Sequence, residues 1–394
     1  MGVPFLAGVT VVSCEQAVAG PFATRQLADL GARVIKIERP GTGDFARSYD
    51  QTVRGLSSHF VWLNRGKQSV TADLKTESGQ RILAELLARA DVFVQNLGPG
   101  AVRRLGFAGE ALRERFPRLV IAEISGYGGS GPWQSRKAYD LLVQGEAGVI
   151  GVTGSEEQPA KAGIAVADIA TAMYAFSGIL AALFARERTG AGAVVEVSLL
   201  DSLAEWMGHP FYYARYGGTP PPRTGASHAT IAPYGPFTTR DAKTLLIAVQ
   251  NETEWVALCT GVLGRPELAR DPRLRTNSLR IANRALTEQV VGAGIGELAL
   301  ADAVELCEAA RIAYGQVNDV GTLEDHPALS ARHRWTEVGS PAGPLATLLP
   351  PIVVRGTEPV MGDIPAVGEH TEPVLRELGY RDEQILALRK AGVV

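Results

Sequence analysis

The first forty residues carry two kinds of hydrophobic spacing in succession. Residues 9–13 form a short β-rich run, 20–30 repeat their apolar positions at helical intervals, and Arg33–Glu38 alternates apolar and polar again. Strand, helix and strand in that order predict a βαβ unit. The alternation continues: strand-like runs at 69–74, Val92–Gln95 and 119–124 are separated by helical stretches such as 78–90 and 109–116. Repeated βα units predict a mostly parallel, Rossmann-like sheet with helices on both faces. Pro21 and Pro40 punctuate this region, and Gly31 stands where a left-handed helix cap is expected.

An apolar helical pattern starts at Asp168 and runs to about Arg188, where Thr189-Gly190-Ala191-Gly192 stops it before a strand at 193–197 and a helix at Leu199–Trp206. The composition then shifts to Gly217-Gly218 and Pro220-Pro221-Pro222, as in a domain crossing or an active-site loop. The expected organisation is an α/β fold: a large domain over 1–215, a linker or active-site loop at 216–233, a smaller α/β domain over 234–325, and a return of 326–394 to the large domain. The smaller domain is expected to hold a strand at 244–249 and helices near 252–262, 283–291 and 300–310. Helical spacing returns at 371–379 and 382–391.

Composition narrows the partners. A chain of 394 residues with a formal charge of −3 and 21% charged residues shows no bias towards nucleic acid or a membrane surface, which leaves small molecules. The N-terminus lacks the layout of a signal peptide and no eighteen apolar residues run uninterrupted, so the expected location is the cytosol. Cys14, Cys259 and Cys307 are far apart and read as buried reduced thiols; the six histidines form no HExxH pair, so no metal is expected. Between the first strand and helix stands Cys14-Glu15-Gln16-Ala17-Val18-Ala19-Gly20-Pro21, without the G-x-G-x-x-G spacing that brings backbone against a pyrophosphate. Despite Glu38 at the end of the second strand, neither a nicotinamide nor a flavin is therefore expected. There is also no P-loop and no G-x-S-x-G elbow.

Several motifs taken in order resemble the class III (CaiB/BaiF) coenzyme A transferases. These are Ala19-Gly20-Pro21, the run from Leu27-Ala28-Asp29 through Lys36-Ile37-Glu38, Gly41-Thr42-Gly43-Asp44, Asn64-Arg65-Gly66-Lys67, Asp73-Leu74-Lys75, and Asp91 to Asn96 running into Gly98-Pro99-Gly100. Gly368-Glu369-His370-Thr371 and Val374 to Tyr380 extend the likeness to the tail, while about 243–299 has little distinctive match. The resemblance implies a family III fold in an interlocked homodimer, each chain a ring threaded through the other. It also implies acyl-CoA and small carboxylic acids as substrates.

The family's nucleophile is an aspartate just before a long helix, and the matching stretch Gly163-Ile164-Ala165-Val166-Ala167-Asp168 puts it at Asp168. A carboxylate suits acyl transfer because its attack on a thioester gives a mixed anhydride, which keeps the acyl group activated. The structural alternative is that Asp168 caps a helix beginning at Ile169, in which case the helix N–H groups would lower its pKa. For CoA, the resemblance implies that Gln16 and Ala17 line the thioester site and that Arg39 reaches the nucleotide. Lys75, Asn96, Arg104 and Lys137 would contact phosphates or the pantetheine arm, with Ala72 and Leu97 beside them. Outside the motif, Lys36 and the Arg103-Arg104 pair read as solvated surface. Tyr139 and Asp140 match a stretch near the family's active site, where Asp140 would orient substrate or act structurally. The related α-methylacyl-CoA racemases place a histidine in the loop occupied here by Ala138-Tyr139-Asp140; its absence favours transfer. Proton transfer of the racemase type and an inert CoA-binding protein stay as alternatives. The glycine-rich lid of formyl-CoA transferases has no counterpart, and Arg223 and His228 in the comparable region point to a dicarboxylate acceptor.

Overall fold

The computed structural model describes residues 3–394. In chain order it begins β1 (Thr10–Cys14), α1 (Ala19–Asp29), β2 (Arg33–Glu38), α2 (Ser58–Asn64), β3 (Lys67–Thr71), α3 (Glu77–Leu87) and β4 (Val92–Gln95). There follow α4 (Ala101–Arg104), α5 (Gly109–Arg115), β5 (Val120–Ser125), α6 (Asp140–Glu146), α7 (Val149–Val152), α8 (Val166–Thr189), β6 (Val194–Ser198), α9 (Leu199–Trp206) and α10 (Gly208–Gly217). These six strands form one parallel sheet in the order β3-β2-β1-β4-β5-β6. Successive residues of a strand point to opposite faces, and Val11 and Val12, Val92 to Val94 and Val120 to Ala122 are all buried. Both faces of the sheet are therefore covered, as a sheet built from βα crossovers requires. Burying each such Val or Ile contributes about 1.5–3 kcal/mol. The strand order reverses between β1 and β4, which opens a crevice at their carboxyl ends.

Two compact units divide the chain. The larger joins residues up to Ala147 with Ala162–Met207 and Pro327–Val394; the smaller consists of Gly148–Lys161 and Gly208–His326. The sequence reading put the crossing at 216–233, whereas the units part at Met207 and Gly208 because α10 belongs with the smaller one. In the larger unit, a hairpin of β10 (Trp335–Val338) and β11 (Leu345–Leu348) and two final helices, Thr371–Leu378 and Asp382–Lys390, follow the return. Those helices add Val374, Leu375 and Ile385 to the core that holds Ile82, Phe93 and Ile121.

The smaller unit is also mixed helix and sheet, but its strands β7 (Tyr234–Thr238), β8 (Thr244–Ala248) and β9 (Ala313–Gln316) are antiparallel. Trp255, Leu258, Val291, Ile295 and Cys307 fill its core. All three cysteines are buried and free of disulfides.

At β3 the strand ends at Thr71 rather than near 74. Asp73 leaves the sheet to donate its N–H to the Val393 carbonyl at 2.7 Å, and Thr76 caps α3 by accepting from Gly79 N at 3.0 Å. The long helix α8 is apolar enough in length and composition to cross a membrane, with half of that apolar window buried inside the protein. It packs against α1, β5, β6 and α9 through small residues, among them Ala167, Ala170, Ala172 and Ala175. The turn that returns α8 to β6 brings Gly192 against β5: a Cβ there would lie 2.1 Å from the Leu119 carbonyl oxygen. Gly192→Ala is therefore expected to destabilise the protein by roughly 1–3 kcal/mol, the ordinary range for overpacking. Denaturant unfolding checks this, and an unchanged midpoint would contradict the close approach.

Candidate active site

The carboxyl ends of β1 and β4 are clamped to each other by one side chain. Gln16 N donates to Asn96 Oδ1 at 2.8 Å, and Asn96 Nδ2 donates to the Gln16 carbonyl at 2.8 Å. Both ends of the Asn96 amide thus hold the main chain of Gln16. The next residue, Ala17, has φ of 60°, a left-handed conformation that an alanine rarely adopts, and its N–H donates to Asp44 Oδ1 at 3.2 Å. Gly20 closes the bend because a Cβ there would sit 2.9 Å from that of Glu15 and 3.1 Å from Asn96 Cγ. Three residues singled out in the sequence, Gln16, Ala17 and Asn96, are in this way one structural unit at the switch point.

The other CoA-binding expectations fall on segments that follow β2, β3, β4 and β5 in the chain. Arg39 is exposed directly after β2, buried Ala72 follows β3 with its N–H on the Glu38 carbonyl at 2.9 Å, and Lys75 is exposed beyond it. Leu97 donates its N–H to Gln95 Oε1 at 3.0 Å, Arg104 is exposed on α4, and Lys137 is exposed on the segment after β5. A cation thus follows each of β2, β3, β4 and β5 in the chain, Arg39 and Lys75 close behind their strands and Arg104 and Lys137 further along. Lys36 differs: it is not solvated surface but fully buried, with Nζ 2.7 Å from Asp44 Oδ2.

Asp168 lies in the first turn of α8, which begins at Val166, two residues earlier than the pattern suggested. The capping group is Asp140, from the start of α6. Its Oδ1 accepts the N–H groups of Ala167 at 2.8 Å and Asp168 at 3.2 Å, and its Oδ2 accepts Gln144 Nε2 at 2.7 Å. Gln144, fully buried, in turn accepts the Ala162 N–H at 2.8 Å and so fixes the segment that leads into α8. The expectation that Asp168 is itself the cap, with a lowered pKa, is overturned by this geometry. The helix N–H groups answer a different carboxylate. Burial, and then the charge of Asp140, push the Asp168 carboxyl up to about 7.

Tyr49 was not anticipated from the sequence. A short turn at Phe45–Ser48, capped by Asp44, delivers it, and its ring meets His59 edge-on at 5.3 Å. Burial and the charges of Asp44 and Asp168 raise its hydroxyl to about 12, so it stays protonated. Tyr139, also within its electrostatic reach, is exposed at the start of α6. The motif Gly41-Thr42-Gly43-Asp44 immediately before Tyr49 was the available signal.

Arg223 and His228 both lie in the smaller unit and neither is a free cation. The Arg223 guanidinium donates to the carbonyls of Ser155 at 2.9 Å and Glu156 at 2.7 Å, which ties 148–161 to its own loop. His228 Nδ1 accepts the Thr230 N–H at 3.2 Å, its ring stacks on Tyr234, and burial together with His209 and Arg284 lowers its pKa. Hydrogen bonds to carbonyls leave the Arg223 guanidinium charged, whereas the lowered pKa favours the neutral His228 imidazole.

With this geometry in place, likeness to known proteins becomes informative. The model of CoA-transferase family III matches residues 6–371. The chain belongs to CoA-transferase family III. It is 34% identical over 396 residues to the succinyl-CoA:glutarate CoA-transferase of Mus musculus, covering 99% of this chain and 90% of that protein. To the acetyl-CoA:oxalate CoA-transferase of Acetobacter aceti it is 35% identical over 387 residues, covering 97% and 94%. A solved CaiB/BaiF family protein from Brucella suis superposes with a TM-score of 0.82 at 32% identity, covering 95% of this chain and 99% of that one. The protein is thus a CoA-transferase, and CoA thioesters are its substrates.

Two outcomes follow for the family III enzyme. An unfolded Asp168 ionises near the ordinary value of about 3.9, and the folded one near 7. Between those values the folded state binds the extra proton, so this residue makes stability fall as pH rises through the window. Asp168→Asn should therefore raise Tm by at least about 2 °C at pH 8, with the gain gone by pH 4; equal gains at both pH values would refute the raised pKa. Asp140→Ala, which removes the α8 cap, should cost about 1–2 kcal/mol in denaturant unfolding, and no loss would show that α8 does not depend on it.

Proposed function

We propose that the enzyme moves CoA from an acyl-CoA donor to a dicarboxylate through covalent intermediates on Asp168. The observation that carries this is the separation of roles between two carboxylates. Asp140 has both oxygens committed, Oδ1 to the α8 terminus and Oδ2 to Gln144, while Asp168 accepts no hydrogen bond within α8 and is half-buried within electrostatic reach of Tyr49. Asp168 is consequently the carboxylate left to attack a carbonyl.

In the proposed sequence an Asp168 oxygen adds to the thioester carbonyl and the C–S bond breaks, giving a mixed anhydride and CoA thiolate. The thiolate attacks the aspartyl carbonyl, releases the donor's acid and leaves an aspartyl-CoA thioester. An acceptor carboxylate then displaces the thiolate to form a second anhydride. Thiolate attack on the acceptor's carbonyl forms the new CoA thioester and returns Asp168 as a carboxylate. No net proton is consumed. The Tyr49 hydroxyl supplies a hydrogen bond to the oxygen that gains charge at each addition, and the cations Arg39, Lys75, Arg104 and Lys137 attract the phosphates of CoA.

Proton exchange of the racemase type needs an acid and a base on opposite sides of a carbon. The engagement of Asp140 as a cap and the Tyr at position 139 favour acyl transfer over such a pair. Support for a dicarboxylate comes from the acceptors named for the similar proteins, glutarate and oxalate. Because oxalate is among them, the missing glycine lid does not by itself favour a longer acceptor. We further infer a cytosolic homodimer. Phe211, Tyr212 and Tyr216 on α10 are 59%, 62% and 81% exposed, and no residue of α10 is buried, which suits a surface covered by a second chain.

Asp168→Ala should abolish CoA exchange while leaving binding of CoA intact; retention of a tenth of the rate would refute the nucleophile. Hydroxylamine added during turnover should convert Asp168 to its hydroxamate, read by peptide mass spectrometry. The rate should rise with pH through about 7, since attack needs the ionised carboxylate. A matrix of succinyl-, glutaryl-, oxalyl- and acetyl-CoA against the free acids would identify the acceptor.

A further inference from the structure

Beneath the Gln16–Ala17 bend lies a closed set of buried charges that no step at Asp168 uses. Lys36, Lys67, Glu15 and Asp44 are each no more than 3% exposed. Lys36 Nζ donates to Asp44 Oδ2 at 2.7 Å and to Asn64 Oδ1 at 3.1 Å, and lies 3.7 Å from Glu15 Oε1. Lys67 Nζ donates to Glu15 Oε1 at 2.7 Å, to Asn64 Oδ1 at 3.1 Å and to the Pro21 carbonyl at 2.9 Å. The second oxygen of Glu15 accepts Thr24 Oγ1 at 2.7 Å. The chain of contacts thus starts on one side of the bend at Ala17, passes through Asp44, Lys36, Glu15 and Lys67, and ends on α1.

We propose that Asp44 is a positioning residue for CoA transfer, its carboxylate holding the Gln16–Ala17 bend in a left-handed shape through a buried charge network that touches no substrate. The proposal rests on the reading that the bend and Asp168 serve one reaction. A left-handed alanine persists only where its surroundings impose the shape. Here Asn96 holds Gln16 from one side, and Asp44 Oδ1 holds the Ala17 N–H from the other while also accepting the Ala46 N–H at 2.9 Å. The same carboxylate caps the turn that carries Tyr49, whose hydroxyl feels both Asp44 and Asp168. Asp44 therefore fixes two features with one group: the main-chain bend at β1 and the turn that carries Tyr49. Its position is fixed in turn by Lys36, so the charge pair, rather than apolar packing, determines the shape of the bend.

Asp44→Asn tests this, because the amide keeps the size but sets its NH2 either against Lys36 Nζ or against the Ala17 and Ala46 N–H groups, donor against donor in both orientations. For the full-length variant, kcat of CoA exchange should fall by about 10–100-fold, the scale of a misplacement near 1 Å. KM for the donor thioester should stay within about threefold, since the bend faces the reacting carbonyl and not the cations. Hydrogen exchange of the Ala17 amide should accelerate at least tenfold. Adding Ala17→Gly should then restore kcat about tenfold, because glycine takes a positive φ unaided; a merely structural role for Asp44 gives no such rescue. If Asp44→Asn does not fold, Asp44→Glu, which keeps the charge but shifts the oxygens by one methylene, should show the same loss and the same glycine rescue. Unchanged kcat, or a kcat loss that Ala17→Gly leaves untouched, would overturn the proposal. Exchange that survives Asp168→Ala would instead refute the nucleophile and leave the Asp44 comparison readable.

Discussion

The N-terminus of α8 can neutralise one carboxylate, and Asp140 occupies that place. Helix N–H groups favour a negative charge, and had they pointed at Asp168 they would have stabilised its ionised form and made it a poor nucleophile at neutral pH. By accepting two of those N–H groups, Asp140 fixes the start of the helix and also adds its own charge beside Asp168. Capping and pKa are thereby coupled in one contact. The dependence extends through Gln144, which joins Asp140 to the Ala162 N–H and so to the segment that precedes α8.

The second feature that organises the larger unit is a buried set of charges in a sheet otherwise filled by Val and Ile. Replacing a buried ion pair with apolar side chains is often neutral or stabilising, so such a network is weak evidence for stability. Its members are instead arranged about main-chain bends. Asn96 and Asp44 between them hold both sides of the Ala17 turn, and Glu38 accepts the Asp44 N–H while pairing with Arg47 at 2.7 Å. Because every carboxylate in the set has a cationic or N–H partner, removing one member leaves another charge uncompensated. That asymmetry is what makes a polar network specify a shape more sharply than packing does.

Much of this architecture was legible in the sequence, because period-2 and period-3.6 patterns report burial of one face and the sheet strands β1, β2, β4 and β5 are strongly patterned. The antiparallel strands β7 and β9 were not found: β7 contains Gly235 and Pro236, and β9 is largely exposed, so neither shows the hydrophobic signal of a strand. Lys36 was misread as surface because a single lysine carries no mark of its partners, and Asp44, which it contacts at 2.7 Å, lies beyond the end of β2 and outside the strand's pattern. Asp168 was located by motif, but its local role was wrong. A helix cap supplied by Asp140, 28 residues earlier, leaves no pattern within the helix it caps.

The pKa of Asp168 has a chemical meaning in the proposed cycle. Each covalent step exchanges a carboxylate for a thiolate, and a free thiol ionises near 8.5 while an ordinary aspartate does so near 3.9. A carboxylate so much less basic than the thiolate would favour the CoA thioester and make attack on it steeply unfavourable. Moving Asp168 to about 7 brings the two leaving groups to within roughly two units. In that reading the donor thioester and the first anhydride lie closer in energy, so the opening addition of Asp168 is less steeply unfavourable. Burial is the larger cause of that shift and Asp140 the smaller, so the packing around Asp168 and the cap of α8 act together on the group proposed to form the anhydride.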